Sequence, residues 1–123
     1  MNIMITPSNI RLSKDKKKLT ITFDEFEYSM SSEFLRVYSP SAEVQGHGPG
    51  QEILQLNKQN VKIDKLKPTG NYAISIHFSD SHSTGIYSWN YLHHLAINHD
   101  RLWSDYCQKV NNTQNKNYNK VVV

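Results

Sequence analysis

Residues 70–92 read GNYAISIHFSDSHSTGIYSWNYL, and this stretch decides how the fold is interpreted. Its first part alternates apolar with small or polar residues, the apolar ones being Tyr72, Ile74, Ile76 and Phe78. Such alternation predicts a β-strand with one buried face. A polar turn follows, and the aromatic residues after it recur at helical spacing. We therefore expect a central strand, a turn that carries Asp80 and His82, and then a helix.

The residues before this stretch predict further antiparallel strands. Residues 9–30 contain three short alternating runs separated by two turns, which is typical of a three-stranded meander. Residues 60–66 form another such run, and we expect them to pair with the central strand. Between these strands, Ser31 is a suitable N-cap for a short helix that Pro40 ends.

After the central strand, the apolar and aromatic spacing predicts two helices separated at Asn98. These patterns together predict an α+β fold, a small two-layer domain in which C-terminal helices cover an antiparallel sheet. We expect a flexible leader over residues 1–7 and one domain over residues 8–110. Residues 111–123 are rich in asparagine and lysine without periodicity, which predicts a disordered tail.

Composition narrows the class of protein. The chain has 123 residues, a length that suits one domain. Its single cysteine, Cys107, can form no internal disulfide and excludes a zinc site built on several cysteines, which fits a reducing cytoplasm. There is no basic segment followed by an apolar one at the N-terminus, and no apolar run approaches the ~20 residues of a membrane span. We therefore expect a cytoplasmic location and no membrane contact.

The net charge of +3 comes with two clusters of lysine. The first occupies residues 14–18 and the second residues 58–67. Clustered lysines attract phosphates, although solvated turns and strand faces explain them more simply. Binding of single-stranded nucleic acid also requires exposed aromatic residues among the basic ones, and here the aromatic residues fall at core positions. We therefore expect no nucleic-acid partner.

The polar residues that suit a functional site are histidines and carboxylates. Asp80 and His82 share the turn after the central strand, His47 lies in the glycine-rich loop GHGPG, and Glu43 precedes His47 by four residues. Two imidazoles with one or two carboxylates would suit iron or zinc, so His82, His47, Glu43 and Asp80 are the candidate metal ligands. The alternative is that Asp80 caps the turn and His82 bonds to backbone. No nucleophile–base pair or known catalytic motif is evident.

Two blocks, LRVYSPSAEVQGHGPGQ (35–51) and the stretch 70–92, resemble the gamma-butyrobetaine hydroxylase-like N-terminal domain family, and the resemblance covers residues 7–108. Family members occur as free-standing bacterial proteins, as the N-terminal domain of carnitine-pathway dioxygenases, and fused to Mrp-type iron–sulfur cluster carriers. In the dioxygenases the domain holds a structural zinc through CPCxxC and a histidine. The resemblance implies that the cysteine positions are Ser39, Ser41 and Val44 here, and that His82 alone matches a zinc ligand.

The resemblance also implies a function. The dioxygenase catalytic domain and any P-loop are missing, so we expect a non-enzymatic accessory domain that binds a partner protein, such as an iron–sulfur cluster carrier or an oxygenase. Its expected contact surface comprises Gly46, His47, Gly48, Asp80 and His82. We expect His82→Ala to weaken partner binding with little change in stability. The alternative function is binding of iron or zinc through the candidate ligands above; no other cofactor is expected.

The family's usual DGH turn reads Asp80-Ser81-His82 in this chain. If glycine supplies a positive φ there, Ser81 must hold the same backbone conformation at an energetic cost.

Overall fold

The computed structural model describes the backbone of residues 5–121 and the side chains of residues 5–114. Six strands and four helices follow one another within this range. The strands are β1 Asn9–Leu12, β2 Lys18–Phe23, β3 Phe26–Ser31, β4 Ile63–Thr69, β5 Ala73–Phe78 and β6 Gly85–Ser88. The helices are α1 Ser32–Val37, α2 Ala42–Gln45, α3 Trp89–Ile97 and α4 His99–Val121.

The strands form two antiparallel sheets of three, in the orders β1-β2-β3 and β4-β5-β6. The α+β class and the meander over residues 9–30 are therefore confirmed. The sequence predicted a single sheet, whereas the structure has two. The chain leaves the first sheet through α1 and returns only at β4, which pairs with β5 alone. A backbone bond from Ile63 N to Lys16 O, of 2.8 Å, joins the edge of β4 to the β1–β2 turn.

Strand β5 is central in the second sheet, as expected, but both of its neighbours differ from the sequence prediction. Residues 85–88 form β6, a strand that the sequence pattern did not predict between the turn and the helix. A four-residue strand is too short for its period to be told from that of a helix. Strand β4 extends to Thr69 rather than ending at residue 66, because an edge strand tolerates Pro68.

One apolar core lies between the inner faces of the sheets and the helices. Fully buried side chains come from every layer, including Leu19, Ile21, Phe34, Ile76, Tyr87 and Leu92. Helix α3 begins where the Ser88 hydroxyl accepts a hydrogen bond from Tyr91 N at 3.1 Å. It ends at Asn98, which confirms the predicted break between the two C-terminal helices.

Helix α4 is attached to the domain through its first half. Leu102 and Trp103 pack against the core, and the Tyr38 hydroxyl donates a 2.6 Å bond to Leu102 O. The backbone is helical to Val121, and the disorder expected over residues 111–123 stays a prediction. A helix that is already nucleated on the core extends at little cost through polar residues. The flexibility of the leader stays a prediction, and residues 1–4 lie outside the described range.

No helix in the described part of the chain has the length and apolarity needed to cross a membrane.

Candidate functional site

The candidate site begins at a buried arginine on α1. The Ser31 hydroxyl caps this helix by accepting from Phe34 N at 3.0 Å, and the side chain of Arg36 is only 7% exposed. Arg36 Nε donates to Asp80 Oδ2 at 2.9 Å, while Arg36 Nη1 is buried without a hydrogen-bond partner among the described residues. Because an unpaired buried charge is costly, the carboxylate of Asp80 is what makes the buried guanidinium tolerable.

Asp80 lies between two cations. In addition to Arg36, Lys58 Nζ donates to the same Oδ2 atom at 2.7 Å. Burial alone would raise the pKa of Asp80, but the hydrogen bonds from Lys58 and Arg36 outweigh it and lower the pKa to about 2. Asp80 is therefore ionised throughout the physiological range and ties the 79–84 turn to α1. Its Oδ1 atom also accepts from His82 N at 3.3 Å, so the expected capping role is present.

His82 is buried and makes a hydrogen bond through each ring nitrogen. Its Nε2 atom is 2.9 Å from Ser39 Oγ, and its Nδ1 atom is 3.0 Å from Glu43 Oε2. Burial, together with the positive charge of Arg36, lowers the pKa of His82, although the contact with Glu43 opposes this shift. A neutral imidazole is therefore favoured at neutral pH. Both partners of the ring are side chains, whereas the alternative to metal binding in the sequence analysis was a bond from His82 to the backbone.

Ser39, His82 and Glu43 thus form a hydrogen-bonded chain of the type that activates a serine in hydrolases. Here, however, the serine is the buried member of the chain. Ser39 is 0% exposed, and a Cβ atom on Gly85 would lie 2.7 Å from its Oγ atom, so the space over the hydroxyl is filled. The carboxylate is the exposed member instead, since the Glu43 side chain is 66% exposed. A substrate carbonyl has no access to the hydroxyl in this arrangement.

The positions that the family resemblance relates to zinc ligands are filled by this cluster. Ser41 Oγ bonds to Thr84 Oγ1 at 2.6 Å, Val44 is buried and has no donor atom, and His82 Nε2 is engaged by Ser39. Structural zinc needs four ligands, usually thiolate or imidazole. The residues present do not fit that site, and hydrogen bonds between residues 39–44 and 82–84 connect the two segments instead.

The four candidate metal ligands are only partly brought together. Glu43 and His82 are in contact, whereas Asp80 faces Arg36 and Lys58, whose positive charges oppose a cation. Exposed His47 enters none of the side-chain hydrogen bonds or ion pairs found among the described residues. No three His, Cys, Asp or Glu side chains within that part of the chain are arranged to hold one ion.

The expected contact surface is also changed, because His82 is buried while the loop from Gly46 to Gly48 is accessible. Gly46 has φ +72°, and a Cβ atom there would lie 2.0 Å from Gln51 O, so glycine is required at the end of α2. Sequence reasoning missed Arg36, Ser39 and Lys58 as members of the site. The block 35–51, which begins with Leu35 and Arg36, was the one signal in the sequence for Arg36 and Ser39. No spacing pattern indicated Lys58.

Ser81 has φ +71°, as the comparison with the DGH turn led us to expect. A left-handed conformation costs a non-glycine residue about 1 kcal/mol, so Ser81→Gly is expected to stabilise the protein by up to about that amount. Chemical denaturation measures the change. Ser83→Gly is the matched control, because Ser83 has no positive φ, and it is expected to be neutral or destabilising. A loss of stability in Ser81→Gly would contradict the strain.

A groove of about 530 Å³ opens beside the cluster, between α2, α3, α4 and the segment 50–55. Its apolar lining includes Val44, Ile53, Leu54, Leu95, Leu102 and Tyr106. The segment that borders it has no regular secondary structure and is held by two bonds, from Ile53 N to Val44 O at 2.8 Å and from the Tyr106 hydroxyl to Gln55 O at 2.6 Å. We call this feature the helical groove.

Comparisons with known proteins agree on the kind of domain. The family model described as "Gamma-butyrobetaine hydroxylase-like, N-terminal" matches residues 10–93. Two NMR solution structures are similar, at 44% identity with a TM-score of 0.81 and at 39% identity with a TM-score of 0.76. The first match covers 91% of this chain and 89% of that one, and the second covers 93% and 88%.

A third similar structure is the crystal structure of a protein of unknown function from Acidithiobacillus ferrooxidans, which belongs to the DUF971 family. It is 32% identical, with a TM-score of 0.62, and the match covers 74% of this chain and 92% of that chain. No curated protein matches the sequence.

Proposed function

The chain belongs to the gamma-butyrobetaine hydroxylase-like N-terminal domain family, and we propose that it is a non-enzymatic accessory domain that acts by binding a partner protein. The observation that carries this proposal is the closed polar cluster around His82. Ser39 and His82, the residues that could act as nucleophile and base, are buried and bonded to each other, while an open groove lies beside the cluster. Such an arrangement favours recognition over catalysis.

The absence of an enzymatic role is supported by the accessibility of the cluster. Ser39 is the hydroxyl that contacts the His82 imidazole, and it is fully buried against Gly85. A catalytic nucleophile must lie within reach of a bound substrate. Asp80 is equally committed, since both of its oxygens already accept hydrogen bonds. What these residues do is hold the segments 39–46 and 79–85 in place.

We assign the partner contact to the helical groove and the adjoining loop from Gly46 to Gly48. The groove is of the size that binds side chains or a short segment of a partner, and its lining combines aliphatic residues with tyrosine. Ile53 belongs to the lining and is 53% exposed, so it offers a large apolar side chain to a partner. His82 supports this surface from below and does not contact the partner.

The class of partner follows from the relatives that the sequence resembles. The domain occurs there fused to iron–sulfur cluster carriers and to oxygenases, so we propose that a carrier or oxygenase of this kind is the partner and that the contact takes place in the cytoplasm. This step is an analogy at the level of the family and does not depend on the chemistry of the site.

A charge placed in the groove should abolish partner binding. Ile53→Asp is expected to reduce capture of the partner from native cytoplasmic extract at least about tenfold, because a buried carboxylate in an apolar contact costs more than 1.4 kcal/mol. Quantitative mass spectrometry of the captured proteins measures the effect. Ile97→Asp is the matched control, since Ile97 is 56% exposed and lies outside the groove lining.

Equal capture of the same protein by the wild type and both variants would contradict the assignment of the groove. The proposed partner class would be contradicted if the wild-type protein captured no more iron–sulfur cluster carrier or oxygenase than empty resin does.

Metal binding is the second candidate, and the contact between His82 and Glu43 is the observation that favours it. These two side chains present an imidazole nitrogen and an exposed carboxylate 3.0 Å apart. A bound iron or zinc ion would need further ligands from water or from the partner. Elemental analysis of untagged protein distinguishes the two functions, because a stoichiometric metal that is lost in Glu43→Ala would favour this candidate over the accessory role.

A further inference from the structure

The structure places the first lysine cluster of the sequence next to three lysines of the second, Lys62, Lys65 and Lys67. The turn over residues 14–18 lies against the start of β4, because Lys16 O accepts the backbone bond from Ile63 N at 2.8 Å. Lys62 precedes Ile63, and Lys65 and Lys67 follow it on β4. We call the surface formed by residues 14–18 and by the lysines of residues 62–67 the basic face.

The basic face extends over the outer side of the second sheet. Lys65 pairs with His77 and Lys67 pairs with Ser75, and directly paired residues project from the same side of a sheet. The next pair across is Ser75 with Ile86, whose side chain is 52% exposed. The opposite side of the same strands carries the buried residues Ile74, Ile76 and Tyr87. The outer side therefore combines lysines with an apolar residue and is open to solvent.

The charge of the basic face is concentrated and unpaired. Residues 14–18 and 62–67 together contain seven lysines and two aspartates and carry a formal charge of +5, whereas the remainder of the chain, with seven basic and nine acidic residues, carries −2. None of the seven lysines is in an ion pair with a carboxylate of the described residues. Asp15 accepts bonds from the Ser13 hydroxyl at 2.6 Å and from Lys17 N at 3.0 Å, so its carboxylate organises the turn.

Protection of an edge strand does not account for this arrangement. Lysine and proline on β4 would discourage pairing with another chain, and Lys65, Lys67 and Pro68 suffice for that. Lys14, Lys16 and Lys17 are in the β1–β2 turn, and Lys18 begins β2, the middle strand of its sheet, so these four lysines protect no edge. Lysines that are close together repel each other, so clustering them on one surface slightly destabilises the folded state. Binding of an anionic partner would offset this repulsion.

We propose that the basic face is a docking surface for an acidic protein segment. Charge complementarity specifies the sign of the partner. Exposed Ile86 supplies the apolar contact that protein interfaces have near their centre, and that a phosphate backbone does not use. The face has no arginine and no aromatic residue among its lysines, which are the residues that read bases and stack on them. This inference concerns a surface separate from the helical groove.

The test uses a fluorescein-labelled peptide rich in glutamate with interspersed leucines, and fluorescence anisotropy at low ionic strength. The triple variant Lys16→Glu, Lys65→Glu and Lys67→Glu is expected to weaken binding at least about tenfold. The control reverses the same number of charges elsewhere, at Arg11, Arg101 and Lys109, and is expected to change binding by less than about threefold. Circular dichroism establishes that each variant is folded, and Lys→Gln versions of both sets repeat the comparison without added negative charge.

A second variant separates a protein partner from a nucleic acid. Ile86→Asn is expected to weaken the peptide several-fold while leaving duplex DNA of comparable charge unaffected. Equal weakening of peptide binding by the two triple variants would overturn the docking surface, as would no binding of the peptide to the wild type. Insensitivity of peptide binding to Ile86→Asn, with tighter binding of DNA through the same lysines, would replace the acidic protein by nucleic acid. The groove variant Ile53→Asp is expected to leave peptide binding unchanged, so this inference and the proposed function can fail independently.

Discussion

Asp80→Asn is expected to lower the free energy of unfolding by about 3 kcal/mol, which is the range for removing one partner of a buried ion pair. The loss arises at Arg36, whose side chain is 7% exposed and whose Nη1 atom already has no hydrogen-bond partner among the described residues. An amide keeps the shape of the carboxylate but leaves the guanidinium charge uncompensated. Urea denaturation of the wild type and variant measures the difference.

Two further variants distinguish this explanation from a general sensitivity to charge. Asp64→Asn removes a carboxylate that takes part in no ion pair among the described residues, and it is expected to be neutral within about 0.5 kcal/mol. Arg36→Met removes the buried charge, so combining it with Asp80→Asn should restore much of the lost stability. Additive losses in the double variant would contradict the coupling.

The same contact makes stability depend on pH. The pKa of Asp80 is about 2 in the folded protein against an ordinary value of 3.8, so the folded state favours the ionised carboxylate. Its contribution is complete above pH 4 to 5 and is lost as the pH falls from about 4 to about 2, which amounts to about 2 kcal/mol. The acid dependence over this interval should be much weaker in Asp80→Asn.

The elements with a clear period were predictable. Strand β5 and the helices on either side of Asn98 each span enough residues for apolar spacing to identify them. Strand β6 was not, since Gly85–Ser88 is short and is followed directly by aromatic residues that suit a helix. The division into two sheets was equally hidden, because it depends on which strands pair across the chain, and local spacing carries no information on long-range pairing.

The sequence predicted some of the residues that belong to the candidate site, but it did not predict which hydrogen bonds they make. His82, Glu43 and Asp80 were identified from residue type, yet Ser39 lies about forty residues from its partner His82, and Arg36 lies as far from its partner Asp80. Burial decides what such residues do, and burial is a property of the packed fold. An exposed His82 would have been a ligand or a contact residue, whereas a buried His82 between two hydrogen-bond partners is a structural link.

His82→Ala is expected to lower the free energy of unfolding by about 2 to 3 kcal/mol, in contrast to the small change expected from the sequence alone. Removing the ring leaves a cavity beside Phe78 and leaves the buried Ser39 hydroxyl without the imidazole. Glu43→Gln is the matched control, because Glu43 is largely exposed and an amide can still bond to the ring, so it should cost less than about 1 kcal/mol. Chemical denaturation at neutral pH compares the three proteins.

The pH dependence of stability tests the buried state of His82 independently of the cavity. Burial and Arg36 lower the pKa of His82, so the folded state favours the neutral ring, and protonation favours unfolding. The contribution is therefore complete above the ordinary histidine pKa of about 6.5 and begins to be lost as the pH falls below it, at a higher pH than that at which the Asp80 contribution begins to fall. His82→Ala should remove this first acid step and retain the one near pH 4 to 2. A first step of equal size in the variant, or a stability loss no greater than that of Glu43→Gln, would contradict the role of His82 as the buried link between the two segments.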